Sequence, residues 1–291
     1  MSGLINRNLK IYFKDPVVVS TSLFGALIVL VLYVFFLADV MTVGIEELIG
    51  SIAKPFVFTW VFSGMISIVS FTSTFGAFIS IVADKVHKIE KDILSSPLPR
   101  WQISGAYLIA AVIIGIVMSV AVYILAMIYL AIIGAPASTF TFSIIIQTLG
   151  LIVLSTLSNT AILLCVALLI KTTNAFAGLT AVFSASLGFF TGTYVQIGIM
   201  PKFAQVMIKL FPLSHSALLL RKVMLKPYFD GPAFYGVPVE YVDKVKADVG
   251  FNFLVDGKIL PTWVSILVIV VVFLIFSALA VLLTIKKKNK R

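Results

Sequence analysis

Residues 84–101 read DKVHKIEKDILSSPLPRW, the densest run of charge in an otherwise oily chain. Two apolar segments flank it, each long enough to cross a bilayer. Val86, Ile89, Ile93 and Leu94 recur at helical spacing, while Lys85, Lys88, Lys91 and Asp92 occupy the other face. Asp84 is placed to cap the helix start and stands in acid-then-base i,i+4 spacing with Lys88. Pro97 ends the helix because it disfavours α geometry at Ser96. Pro97 and Pro99 then stiffen the chain up to Arg100 and Trp101, an interfacial pair where the next span starts. A short, two-faced helix between two spans is either a solvated connector or a lever that passes a push from a soluble partner into the membrane.

Composition agrees with the flanks. Of 291 residues, 60% are hydrophobic and 12% charged, at a mean hydropathy of +1.13. Soluble domains carry roughly twice that share of charge, so lipid sets the core and the chain reads as a polytopic membrane protein. The net charge of +10 does not point to nucleic acid. The basic residues flank apolar runs instead of forming one stripe interleaved with aromatics, as topology requires. The single cysteine, Cys165, lies in an apolar run and allows no internal disulfide.

Residues 1–16 read as an amphipathic helix in the headgroup plane, with Ile5, Leu9, Tyr12 and Phe13 on one face and Arg7, Lys10 and Lys14 on the other. The first span, 17–38, is too long for a signal-peptide core and lacks a small-residue cleavage site, so it reads as retained. Asp39, Glu46, Glu47 and Lys54 then fall in a short outer loop. Further spans are expected at 55–83, 101–134, 140–170, 175–199 and 261–285, with the charged stretch 84–100 as an inner loop and 200–260 as an outer segment. The termini and inner loops hold 13 Lys/Arg against 4 acids, the outer loops 9 against 8, which puts both ends on the cytoplasmic side of the cell membrane. Within the outer segment Phe203, Val206, Met207, Leu210 and Phe211 form one apolar stripe, and Ser214 can cap a second helix. These two pieces are too short to span separately, so they dip into the leaflet or lie on it. Pro238 opens a further small helix with a Glu240–Lys244 pair. The fold class is therefore all-α: one domain over 1–291, with six transmembrane helices, an N-terminal interfacial helix, a short cytoplasmic helix and outer re-entrant or interfacial helices.

The chemistry is mainly one of omission. The expected spans carry no Asp, Glu, Lys, Arg or His in their interiors, which argues against an ion-coupled secondary transporter. There is no phosphate-binding loop and no H-E-x-x-H, and His87 and His215 fall on opposite sides of the membrane, so neither nucleotide hydrolysis nor a shared metal site is expected. Hydroxyl stripes are present instead. Thr59, Ser63, Ser67, Ser70 and Thr74 line one face of the second span, flanked by Phe58, Phe62, Phe71 and Phe75. Thr180, Ser184, Gly188 and Thr191 line the fifth, which also carries the G-x-x-x-G pair Gly188–Gly192; Ala111, Gly115 and Ser119 give small-residue spacing on the third. Such stripes serve close helix packing. Alternatively, Thr59, Phe62, Ser63, Ser67, Ser70, Thr74, Thr180, Ser184 and Thr191 line an amphiphile pathway.

With these parts placed, most of the chain resembles the permease subunit of an ABC type-2 transporter. The resemblance rests on RNLKIYFKDP before the first span, DKVHKIEKDILSSPLPRWQISGAYL after the second, and FPLSHSALLLRKVM before the last. It implies that Leu4–Lys14 is a connecting helix, that 201–226 is re-entrant, and that 84–98 is the coupling helix that docks on a separate ATPase. Its contact residues would be Asp84, Lys85, Lys88, Ile89, Lys91, Asp92, Leu94 and Pro97. The resemblance further implies two copies of the ATPase, which carry the ATP and magnesium, and a second permease as homo- or heterodimer partner. This chain itself would bind no cofactor. The expected activity is export of a drug, lipid or peptide. The segment 228–260 is longer than the simplest members need. A reading of another class also stands: a non-transporting sensor or assembly subunit whose outer segment binds a partner.

Overall fold

The computed structural model describes residues 1–96, 98–255 and 258–289. Helix α1 (Ser2–Lys14) is followed directly by α2 (Pro16–Leu32), because Asp15 breaks the helix in an extended conformation and its carboxylate accepts from the Val17 and Val18 amides. Pro16 at the first position of α2 gives up an amide that would have no intrahelical partner. A π turn at Tyr33–Leu37 leads into α3 (Ala38–Ile49). The expected short outer loop is therefore helical: Asp39, Glu46 and Glu47 lie on α3, which continues the first span. The chain reverses only at Gly50, whose φ of 62° few other residues adopt.

The return helix, α4 (Ala53–Ala77), is the axis of the molecule. Every residue from Pro55 to Phe75 is buried. A helix apolar on all sides belongs at the centre of a bundle, and α2, α3, α7 (Arg100–Ile132), α8 (Phe142–Leu169), α9 (Thr173–Phe190) and α11 (Pro212–Met224) surround it. Its hydroxyls do not compromise the helix, since Thr59, Thr72, Ser73 and Thr74 each donate to a carbonyl four residues back. On α7, Gly115 is required by close approach: a Cβ there would lie 2.5 Å from both Thr156 and Thr74.

Among the described residues five apolar helical stretches are long enough to cross a bilayer, and the first, Pro16–Val86, doubles back at Gly50 and supplies two passes. Ser22 against Thr72 and Tyr33 against Trp60 fix that antiparallel pairing. The six passes are thus α2–α3, α4 with its extension α5 (Ile79–Val86), α7, α8, α9 and α14 (Thr262–Asn289). Between the last two lie α10 (Lys202–Leu210) and α11, bent by 90°, then α12 (Lys226–Phe229), α13 (Val239–Asp248) and a two-residue antiparallel ladder, β1 (Leu254–Val255) with β2 (Lys258–Ile259). The class is all-α and the protein is a multi-pass membrane protein.

Four local expectations change. The fifth span stops at Phe190 and does not run to Ile199; Thr191 and Gly192 turn the chain, and residues 197–199 form a separate 3-10 turn. The Gly188–Gly192 pair does not mediate helix crossing. Gly188 instead lets Tyr194 fold back onto α9, where a Cβ would meet the ring at 2.3 Å. Ser214 does not cap α11, which opens on Pro212 after Phe211; its hydroxyl donates to the Phe190 carbonyl at 2.6 Å and ties α11 to the end of α9. On α13 the ion pair formed is Asp243–Lys246, at 3.9 Å.

Candidate functional site

The charged stretch divides into two helices, α5 and α6 (Ile89–Ser95). His87 ends α5, and Lys88 takes a left-handed conformation, φ 62°, that turns the chain before α6 starts. The first half is anchored inside the bundle. Asp84 does not cap a helix; it is 4% exposed near the end of α5. Its carboxylate accepts two hydrogen bonds from the Arg7 guanidinium, at 2.6 and 2.8 Å, and a third from the Tyr107 hydroxyl on α7. Arg7 thus leaves the water face expected for it and joins α1 to α5. Hydrogen bonding to Asp84 raises the Arg7 pKa above its already high ordinary value, so the cation is permanent. A bidentate guanidinium–carboxylate pair also fixes orientation, which a lysine would not. Asn8, buried beside it, accepts from Arg7 at 3.2 Å.

Lys85 is held as well. Its ammonium donates to the carbonyls of Ala167 and Leu168 at the end of α8 and of Ile170 just after it, at 2.6, 3.3 and 3.4 Å, where a cation is favoured. The second half of the stretch differs. Lys88, Ile89, Lys91 and Asp92 are exposed, as are Val86 and His87, while Ile93 and Leu98 pack inward. Pro97 and the side chain of Leu94 lie outside the described residues, as do the side chains of the basic tail 286–291. The arrangement is a surface of two exposed apolar and three charged residues on a turn whose root is locked to α1, α7 and α8.

The hydroxyl stripe of α4 is engaged within the chain. Thr59 bonds the Tyr228 hydroxyl at 2.9 Å, Ser63 donates to Trp60, and Ser67 donates to Leu213 at 3.2 Å. Ser70 bonds Thr156 and accepts from Asn159, and Thr74 donates back to Ser70. Phe62 packs on Phe58 and Tyr129. Thr180 and Ser184 on α9 are half-buried, whereas Thr191 is buried at the turn that ends that helix. Periodicity found these residues, but not that α4 is enclosed on every side.

Sequence reasoning did not single out Arg221. It sits on α11, 0% exposed, and donates to the carbonyls of Thr191 and Gly192 at 2.6 and 3.2 Å. Its signal was a charge inside FPLSHSALLLRKVM, a segment read as re-entrant. His215, also on α11, donates from Nε2 to the Lys209 carbonyl at 2.8 Å and therefore accepts through Nδ1 from Ser265 at 3.0 Å. His87 and His215 lie at opposite ends of the bundle.

The described residues thus form a helical membrane body with a charged turn anchored at one end. A family model described as ABC-2 family transporter protein matches residues 51–282, from before α4 to well into α14. The chain belongs to that family and is the permease component of an ABC transporter. No curated protein sequence matches it. Membership implies association with an ABC ATPase and with the bilayer.

Proposed function

We propose that this permease exports an amphiphile (a drug, lipid or peptide) using ATP and magnesium bound by a separate ATPase subunit, two copies of which act on a dimer of permeases. In this reading the end of the bundle bearing α1, α5 and α6 faces the cytoplasm of a plasma membrane, in keeping with the basic excess there. The single observation that carries the reading is the division of the charged stretch. Asp84 and Lys85 root it in α1, α7 and α8, while Lys88, Ile89, Lys91 and Asp92 remain exposed for contact. A rigid root transmits displacement of the exposed turn to the spans. Asp84 and Lys85 therefore act as anchors of the coupling element, and Leu94 and Pro97 complete the docking segment by resemblance.

The cargo pathway, in the same reading, runs beside Thr180 and Ser184 of α9. It reaches Thr59, Phe62, Ser63, Ser67, Ser70, Thr74 and Thr191 only when α4 parts from its neighbours. A double substitution, Ile89→Asp with Lys91→Glu, tests the docking surface. The variant should insert and fold normally yet lose co-purification of the ATPase and cargo-stimulated ATP hydrolysis in proteoliposomes. Retained association would defeat the assignment. Exposed Tyr235, Val239 and Tyr241 at the far end favour the second reading, a sensor or assembly subunit. That reading requires the reconstituted complex to show no cargo movement.

A further inference from the structure

Arg221 is a buried cation that no carboxylate pairs with among the described residues. Its Nη2 is engaged, with Thr191 and Gly192 carbonyls and, at 3.5 Å, the Thr193 hydroxyl. Its Nε and Nη1 find no acceptor among the described residues. Neither does Nε1 of Trp60, whose ring lies 5.7 Å from the guanidinium carbon. Three buried N–H donors without an acceptor, two of them on a cation with no anionic partner among the described residues, are a costly arrangement. The space beside Nη1 is closely packed by Gly192, Gly250 and the Ile197 side chain, whose Cδ1 would lie 2.7 Å from a Cβ on either glycine. A Cβ on Gly250 would come within 2.8 Å of Nη1 and one on Gly192 within 3.6 Å. Tyr33 packs edge-on to Trp60 at 5.8 Å, with its hydroxyl donating to the Thr193 carbonyl at 2.8 Å. That residue opens the π turn between α2 and α3, an irregularity found frequently at functional sites.

We infer that Arg221 and Trp60 form a binding site for an anionic group, between α4, α11 and the turn that ends α9. The ligand chemistry is a compact, acceptor-only anion that takes hydrogen bonds from Nε and Nη1 of Arg221 and Nε1 of Trp60. Two sources supply that chemistry: a free inorganic anion, or the acidic headgroup of an amphiphile. The second source would deepen the export reading by assigning acidic amphiphiles as cargo. The geometry itself does not depend on that reading.

The test uses the full chain, purified without its ATPase, with Trp101→Phe and Trp263→Phe so that Trp60 is the only tryptophan. Iodide should quench Trp60 saturably, and Arg221→Gln should weaken that binding at least tenfold. Displacement of iodide by inorganic phosphate identifies a free-anion site. Displacement by decyl phosphate, but by neither inorganic phosphate nor decyl maltoside, identifies a headgroup site. Linear quenching that is the same in Arg221→Gln overturns the inference and leaves only collisional access. Should Arg221→Gln fail to fold, the thermal midpoint of Trp60→Phe is compared with and without chloride in the otherwise native chain. Loss of one donor should at least halve the chloride-dependent rise, whereas a merely structural Trp60 would leave that increment unchanged. An unchanged increment overturns the inference. Because the ATPase is absent throughout, a negative result here leaves the docking experiment standing, and the converse also holds.

Discussion

The Asp84 carboxylate lies 2.6 Å from the Arg7 guanidinium across 77 residues of sequence, and that contact anchors the first half of the charged stretch to α1. It fastens α1 to the root of the charged stretch on α5, with the Tyr107 hydroxyl as third member on α7. A push on the turn at Lys88 thus reaches two helices besides α5 itself.

Replacing Asp84 by Asn leaves Arg7 facing a neutral amide. Breaking a buried pair costs about 3–5 kcal/mol, and because the Arg7 side chain is 34% exposed about 1–2 kcal/mol is expected here after screening. Membrane insertion should persist, with a lowered unfolding midpoint and weaker cargo-stimulated ATPase activity. A double-mutant cycle with Arg7→Gln should show strong non-additivity. Simple addition of the two effects would mean that the contact contributes nothing.

At Gly188 a methyl group collides with Tyr194. Gly188→Ala should destabilise by about 1–3 kcal/mol through overpacking, and Tyr194→Ala in the same chain should recover most of that loss. If the two losses add instead, the fold-back of residues 191–196 onto α9 is not what the glycine serves.

The Asp248 carboxyl, on the outermost helix of the segment between α9 and α14, has its pKa raised by burial, against a smaller opposing pull from Lys244. A raised folded-state value in an acid means the folded state holds its proton more tightly. The penalty is absent below the ordinary carboxylate range, grows as pH rises through the raised value, and is complete above it. Hydrogen exchange in 239–250 should therefore quicken as pH rises through that interval, after correction for intrinsic rates. Asp248→Asn should remove the dependence and slow exchange at neutral pH.

Sidedness is open to labelling. In a Cys165→Ser background, His87→Cys and Tyr235→Cys place thiols at exposed positions at opposite ends of the bundle. An impermeant maleimide applied to intact cells should modify the second and not the first. Labelling of His87→Cys from outside would invert the proposed topology and detach the ATPase from α6.

The sequence by itself determined what depends on composition and period. Lipid as the solvent, the apolar passes, the short charged helix between two of them and the resemblance carried by 84–108 all follow from which residues recur and how often. Helix ends were less legible: Asp39, Glu46 and Glu47 look like loop residues, yet α3 carries them beyond the apolar run, and a hydrophobic stretch continues past Phe190 although the helix does not. Only the tertiary structure decided which face of each helix meets another. The hydroxyls of Thr59, Ser67 and Ser70 read first as packing and alternatively as a pathway, and neighbours on α8, α11 and α12 give them bonds within the chain. Asp84 and Lys85 read as surface charge, but contacts from residues 77 and 82 positions away turn them inward. Spacing along one helix specifies a face, whereas the partner of that face comes from a distant part of the chain, and for Arg221 that partner is a turn whose position no local pattern encodes.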